Sequence, residues 1–509
     1  MRSSKTYLRY VAVVVGAAWN MLAQAQGLVG VDGSVALFQE NCSVCHGESL
    51  EGAALGVPLL GELRHGDTMT EITASIRGGF AETGMPSWQD SLSNSDIRNL
   101  ALYITESRAN IDYETFNYDT PLVIPEGEIP TELHNYTLEP VAVNLDAQSF
   151  SISPMPDGSF LLTEKKYGLR IIDQKGGKSD YIKGTPEVFA DTFIPTFKQE
   201  WGWGWLFDIA PHPDYANNGW IYLYYSERCS DCNATSLASG QPVSMNKLVR
   251  ARIKEGEWVE QETIWEADKE HYGGFSDIAA GGRMAFDDRG HVYFSIGVKG
   301  PNNFEGVQDL SIPWGKIHRI YDDGSIPDDN PFAHRDDVYR SIFTYGHRSP
   351  QGLEFNRFNG EVYGTEHGPR GGDELNHLIA GRNYGWPLTS LGMDYDGTPV
   401  EYGKDLGITF ELADIEQPIV DLTPSPAVSS FVISDSDRFP EWKGHYIVGS
   451  LKARSLYRFE IADDRLVNRE TLLDGIVRIR DIEMGYNGEI YLLVEHNSGS
   501  QILRMAAVD

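Results

Sequence analysis

Asp288-Arg289-Gly290-His291-Val292-Tyr293-Phe294 is a tight turn running into an alternating aromatic and β-branched strand. The same grammar recurs from about residue 147 onward. Its other copies turn at Asp157-Gly158, Asn218-Gly219, Asn359-Gly360, Lys443-Gly444 and Asn487-Gly488. The strands that follow read Phe160-Leu161-Leu162, Ile221-Tyr222-Leu223-Tyr224, Val362-Tyr363, Tyr446-Ile447-Val448 and Ile490-Tyr491-Leu492. A glycine at the turn permits the left-handed backbone a tight hairpin needs. Six hairpins, mostly several tens of residues apart, predict an all-β propeller of six blades whose loops on one face supply a ligand site. A large β-sandwich with coincidental turns is the competing architecture.

Upstream the pattern changes. In Cys42-Ser43-Val44-Cys45-His46 two thiols and an imidazole stand at the spacing that covalent haem attachment requires. Each cysteine can form a thioether to a haem vinyl group, with His46 as axial ligand to the iron. The bland alternative is a chance dithiol followed by an unrelated histidine. A second axial ligand is available in Met85, which lies in the irregular loop Thr83-Gly84-Met85-Pro86-Ser87-Trp88 rather than on a periodic apolar face. Ser93 and Asp96 mark a helix start, and Ile97, Leu100, Ala101 and Ile104 follow at one-face spacing. Residues 31–108 resemble a small all-α class I cytochrome c domain, which implies one covalent haem c.

Arg2, Lys5 and Arg9, the apolar run Tyr10–Ala18 and then Ala23-Gln24-Ala25 read as a secretory signal over residues 1–25. The apolar run is short of the roughly 20 residues a membrane helix needs, which makes an anchor the weaker reading. The expectation is an exported, periplasmic protein with no membrane span. The 509 residues carry 42 basic and 74 acidic side chains, a net charge of −32, which argues against nucleic acid as a partner. Cys229 and Cys232 form a second Cys-x-x-Cys, but Asn233 stands where a haem ligand would be needed. A small disulfide loop is the default in an oxidising compartment, and a redox-active dithiol is the alternative. Residues 109–145 are acidic and broken by Pro121, Pro125, Pro130 and Pro140, which predicts a linker. The domains expected are therefore a cytochrome c domain at 26–108, that linker, and a propeller at 146–509.

Several long strings carry a more specific resemblance. They are GGRMAFDDRGHVYFSIG (281–297), GKIHRIYDDGSIPDDNPF (315–332), YGHRSPQGLEF (345–355), EHGPRGGDELN (366–376) and NYGWP (383–387). APHPDYANNGWIYLYYS (210–226) fits upstream, and SLKARSLYRFEI (450–461) with RIRDIE (478–483) downstream. Together they resemble the soluble aldose sugar dehydrogenases that depend on pyrroloquinoline quinone (PQQ), the glucose/sorbosone dehydrogenase family. The resemblance implies that Lys452, Arg478 and Arg480 hold the three carboxylates of PQQ. It also implies that Arg348 lies against the quinone oxygens and that Asp373 is a site position. Calcium would sit on the backbone carbonyls of Gly368 and Pro369, and Glu374 and Tyr384 match positions that help bind structural calcium. Arg478 and Arg480, two apart on a strand, would face the same way.

Two positions depart from the family pattern. Ala279 stands where the family's general-base histidine is expected, and Val298 where the aspartate that orients it is expected. His271, in His271-Tyr272-Gly273-Gly274, is the candidate replacement base, and a surface-loop histidine is the alternative. Trp203 occupies the place of a sugar-binding glutamine, where it could stack on a sugar or simply pack. The expected function is oxidation of an aldose or related alcohol, with electrons passing from PQQ to the chain's own haem and on to a respiratory acceptor. The rival expectation, resting on Ala279 and Val298, is a propeller that has lost its chemistry and serves the cytochrome as a carbohydrate-binding or docking module.

Overall fold

The computed structural model describes residues 33–115, 120–194, 200–300 and 304–508. The expected signal segment, 1–25, lies outside the described residues. The chain divides into two compact units. One is built on the stretch ending at Glu114 together with Pro369–Gly372 and Ser390–Val400, and the other holds the rest.

The first unit is helical, with its main helices at Gly33–Asn41, Met69–Gly78 and Asn94–Thr115. Thr68 and Glu71 cap the second helix reciprocally. Ser93 Oγ accepts the Asp96 amide at 3.1 Å while Asp96 takes the Ser93 amide at 3.1 Å, so the third helix starts where its sequence places it. The stripe Ile97, Leu100, Ala101 and Ile104 is buried against Phe38, Leu50, Ile72 and Ile76. Met393, from the Ser390–Val400 segment, completes that core.

The second unit is the six-bladed propeller. Among the described residues it has six antiparallel sheets, five of four strands and one of three. All six turn glycines adopt positive φ, between +66° and +84°. The innermost strands begin at Ser149, Leu206, Gly281, Pro350, Val428 and Arg478. The last blade is composite. Tyr136–Leu145, expected to end a linker, is instead a strand that pairs antiparallel with the C-terminal strand Ser500–Ala507, from Tyr136↔Ala507 to Leu145↔Ser500. This pairing joins the two ends of the propeller sequence in one sheet. Ten residues of the stretch expected as linker, Tyr136–Leu145, thus belong to a blade.

Candidate functional site

In the first unit, Cys42 and Cys45 are free thiols, Cys42 at the start of the short helix Ser43–His46 and Cys45 within it. His46 Nδ1 is 2.8 Å from the Val57 carbonyl. That bond assigns the ring proton to Nδ1 and leaves Nε2 with a lone pair, the state an axial ligand needs. Met85 is fixed by a two-residue bridge: the Phe80 amide donates to its carbonyl at 2.9 Å and its own amide to Phe80 at 3.1 Å. Gly84, at φ +86°, makes the turn that places the thioether on this loop. The residues therefore fit a covalently held haem.

In the propeller, two of the three cations expected to bind carboxylates, Arg478 and Arg480, converge. The pairing of Arg478–Met484 with Ile490–Glu495 slips by one residue between Ile479 and Asp481. Across that bulge both guanidinium groups reach one carboxylate. Arg478 Nε lies 3.1 Å and Arg480 Nε 2.7 Å from Glu495. Burial would raise the Glu495 pKa, but Arg480, Arg478 and Lys165 outweigh it and hold the group at about 2. Lys452 directly follows Leu451, whose carbonyl accepts Arg478 Nη1 at 3.4 Å. The Phe150 ring lies beneath this cluster, 5.8 Å from Arg480 and 4.5 Å from Arg283. Three basic side chains, Arg480, Arg478 and Lys165, thus act on one carboxylate, in a chain whose net charge is −32.

Arg348 lies between strands Ile342–Tyr345 and Pro350–Asn356. Its amide donates to Glu366, and its Nη1 reaches the carbonyls of His367 and Gly368 at 3.3 and 3.0 Å. The carbonyl expected to take calcium therefore already accepts a guanidinium. A carbonyl has a second lone pair, but a cation sharing this oxygen would face the Arg348 charge. Asp373 acts through the backbone: it accepts the Gly368 amide at 3.1 Å and the Val428 amide at 3.0 Å. His367 donates from Nε2 to the Val428 carbonyl at 2.6 Å, and burial, helped by Arg348 and Arg480, lowers its pKa. Glu374 and Tyr384 have different partners. The Tyr384 phenol bonds the His377 carbonyl and the Ile379 amide. Burial, with Glu366, Asp421 and Asp373 nearby, pushes the Glu374 carboxyl up to about 8.

Neither residue in the expected base positions can carry a proton. Val298 donates its amide to the Arg348 carbonyl at 3.0 Å, and Ala279 closes the turn Asp277–Ala279. Beside them lies a fully buried ion pair between Asp277 and Lys299. Asp277 also accepts Ser226 Oγ at 2.9 Å, Ser244 Oγ at 2.7 Å and the Gly204 amide at 2.7 Å. This hub ties the tryptophan-rich loop to the turn that ends at Ala279. His271 sits apart from it, with Nδ1 2.6 Å from the Tyr339 hydroxyl. Among the described residues it has no contact with Arg348, Arg478 or Arg480. Trp203 donates to the Gly274 carbonyl at 3.2 Å and neighbours Phe193 at 6.0 Å, while Trp205 is buried with Phe150, Phe207 and Ala280. Cys229 and Cys232 are joined as a disulfide.

Glu495, Lys165 and the Asp277–Lys299 pair were not singled out from sequence. A signal existed for the first two: Glu164-Lys165, Glu366-His367 and Glu495-His496 each end the second strand of a blade with a carboxylate and then a basic residue.

A family described as Glucose / Sorbosone dehydrogenase matches residues 146–504, and one described as Cytochrome C oxidase, cbb3-type, subunit III matches residues 31–104. The aldose sugar dehydrogenase YliI of Escherichia coli is 31% identical over 370 residues, covering 71% of this chain and 92% of that one. A crystal structure of glucose dehydrogenase superposes with a TM-score of 0.64 at 29% identity, covering 73% of this chain and all of that one. The PQQ-bound form of an aldose sugar dehydrogenase from Streptomyces coelicolor shares the fold, with a TM-score of 0.54 at 22% identity over 75% of this chain and all of that one.

Proposed function

The chain belongs to the glucose/sorbosone dehydrogenase family and carries a cytochrome c domain ahead of its propeller, and from that premise we propose that it oxidises an aldose or related alcohol with PQQ and passes the electrons to its own haem c. The observation that carries this reading is the sharing of Glu495 by Arg478 and Arg480 beside Lys165. A pocket so over-supplied with cations suits an anion bearing several carboxylates. PQQ, when bound, supplies a two-electron acceptor. Lys452, Arg478 and Arg480 would bind its carboxylates, and the Arg348 guanidinium would stabilise negative charge as it develops on the quinone oxygens. At the Gly368 carbonyl a calcium ion would face the Arg348 guanidinium, whereas the Glu374 carboxyl lies among acidic neighbours that a hard cation would neutralise. The site is proposed to lie in the periplasm, a location supported by the disulfide and by the haem-attachment motif. The haem would deliver electrons to a respiratory carrier.

The test is reconstitution of the purified protein with PQQ and calcium, followed by a panel of aldoses and alcohols, with the haem absorption bands as readout. Reduction of the haem by at least one aldose is expected. No reduction across the panel, with PQQ bound, would favour the second reading, a propeller that recognises carbohydrate without oxidising it. Ala279 and Val298 support that second reading, because a C–H oxidation needs a group that accepts the hydroxyl proton.

A further inference from the structure

Lys165 follows strand Phe160–Glu164, in the blade that neighbours the composite one. Its side chain is partly buried and runs over two aromatic faces, with Nζ 5.4 Å from the Phe150 centroid and 5.7 Å from the Trp205 centroid. The same Phe150 ring carries Arg480 and Arg283, so Lys165 belongs to the axial cation cluster. The other members have close carboxylates. Arg283 Nη1 is 2.7 Å from Asp481 and 3.6 Å from Asp208, while Arg478 and Arg480 divide Glu495 between them. Lys165, by contrast with Arg283, Arg478 and Arg480, has no carboxylate within ion-pair distance among the described residues. A neighbour in sequence makes the contrast plain: Lys166 turns to Glu200 at 2.8 Å.

An ammonium crowded by guanidinium groups, with the carboxylate opposing it, Glu495, already divided between two of them, is a costly arrangement, and proteins resolve it by pairing the group or by removing its proton. The charged groups facing Lys165 are Arg480, Arg478 and Arg283, opposed by Glu495 and, more remotely, Asp146. Burial and the arginines bring its pKa down to about 7. An anion arriving at Arg478 and Arg480 would reverse that balance.

We propose that Lys165 is a fourth anchor for the polycarboxylate ligand of this pocket and takes up a proton as the ligand binds. The inference rests on the quinone reading above, and names a residue and a proton that the reading leaves unassigned. The group gains charge only when the ligand supplies the missing counter-ion, so binding is linked to pH through Lys165. Above pH 7 the empty site holds a neutral amine, and the filled site an ammonium.

Calorimetric titration of the full protein with PQQ and calcium, in two buffers of different ionisation enthalpy, counts the protons taken up. About 0.9 proton per PQQ is expected at pH 8 and about 0.1 at pH 6, from a group whose pKa rises from near 7 to well above 8. Lys165→Met should lose this uptake and bind roughly 10- to 100-fold more weakly at pH 6. Lys165→Arg, charged at every pH used, should keep the affinity and show no uptake, which separates a charge role from a packing role. Native-like circular dichroism of both variants controls for folding. Equal affinity and equal proton count in native protein and Lys165→Met would overturn the inference while leaving the quinone reading standing. Absence of PQQ binding by the native chain would overturn the quinone reading, and this inference with it.

Discussion

Two buried carboxyl groups in the propeller have their charges set in opposite directions, and each has a consequence for stability. Burial, reinforced by Asp208, Asp435 and Asp481 and opposed by Arg357, raises Glu354 from 4.5 to about 8. A raised carboxyl binds its proton more tightly in the folded chain. Its stabilising contribution is whole below about pH 4.5 and drains away as pH climbs through 8. Glu495, depressed to about 2, behaves oppositely: its contribution is present above 4.5 and is lost as pH falls toward 2. Between pH 5 and 7 the Glu354 effect stands without the Glu495 one. Urea unfolding of the propeller should therefore show native protein losing on the order of 2–3 kcal/mol relative to Glu354→Gln across that interval. Parallel pH profiles for the two proteins would contradict the assignment. The Asp277–Lys299 pair permits a larger prediction, because both side chains are fully buried. Asp277→Ala strands the ammonium and removes the acceptor of two backbone amides and two hydroxyls, at an expected cost of about 3–5 kcal/mol in the same assay. A loss below 1 kcal/mol would mean that Lys299 sheds its proton and tolerates solitude.

At the scale of elements, the strand Tyr136–Leu145 separates what sequence declares from what closure creates. It alternates poorly, carries Glu139-Pro140, and slips register at Pro140/Ala142 and again before Leu145, so it reads as linker. It tolerates these features because it is the outermost strand of its blade, where proline leaves no inner ladder bond unmade. The hairpins were legible for the opposite reason: each is local, and its glycine must sit at positive φ whatever the rest of the chain does. The site divides along the same line. Arg478 and Arg480 lie two apart on one strand and could be recognised together. Lys165 and Phe150 share one hairpin, but Arg283 and Glu495 join them only when blades distant in sequence come together. Tyr136 tests the closure directly. It is fully buried beside Phe439 and Trp442, and its hydroxyl donates to the Leu472 carbonyl at 2.6 Å. Tyr136→Ala should cost about 3–5 kcal/mol of propeller stability by denaturant melting. A true linker residue would change stability by less than about 0.5 kcal/mol.

For the molecule as a whole, the decisive property is that a two-electron site and a one-electron carrier are proposed to share one chain. Joining them would make electron delivery a first-order event whose rate does not depend on how many molecules are present. The charge of −32 strengthens the distinction, since like-charged copies approach one another slowly at low ionic strength and less slowly when salt screens them. Intramolecular transfer should therefore be indifferent to dilution, and transfer between molecules should fall with dilution and rise with salt. Stopped-flow mixing of the PQQ-loaded protein with a saturating aldose, monitored at the haem bands, separates the two. The observed rate constant is expected to stay within about 20% over a tenfold dilution at low salt. Rates proportional to protein concentration would show that the haem is reduced by other copies, and the fused cytochrome would then be an acceptor for its neighbours. Met85→Ala sharpens the experiment, because loss of the thioether should lower the haem potential and slow its reduction while PQQ binding is unchanged. If the haem potential stays where it was, the second axial ligand is some other side chain, and the loop carrying Met85 has a different purpose.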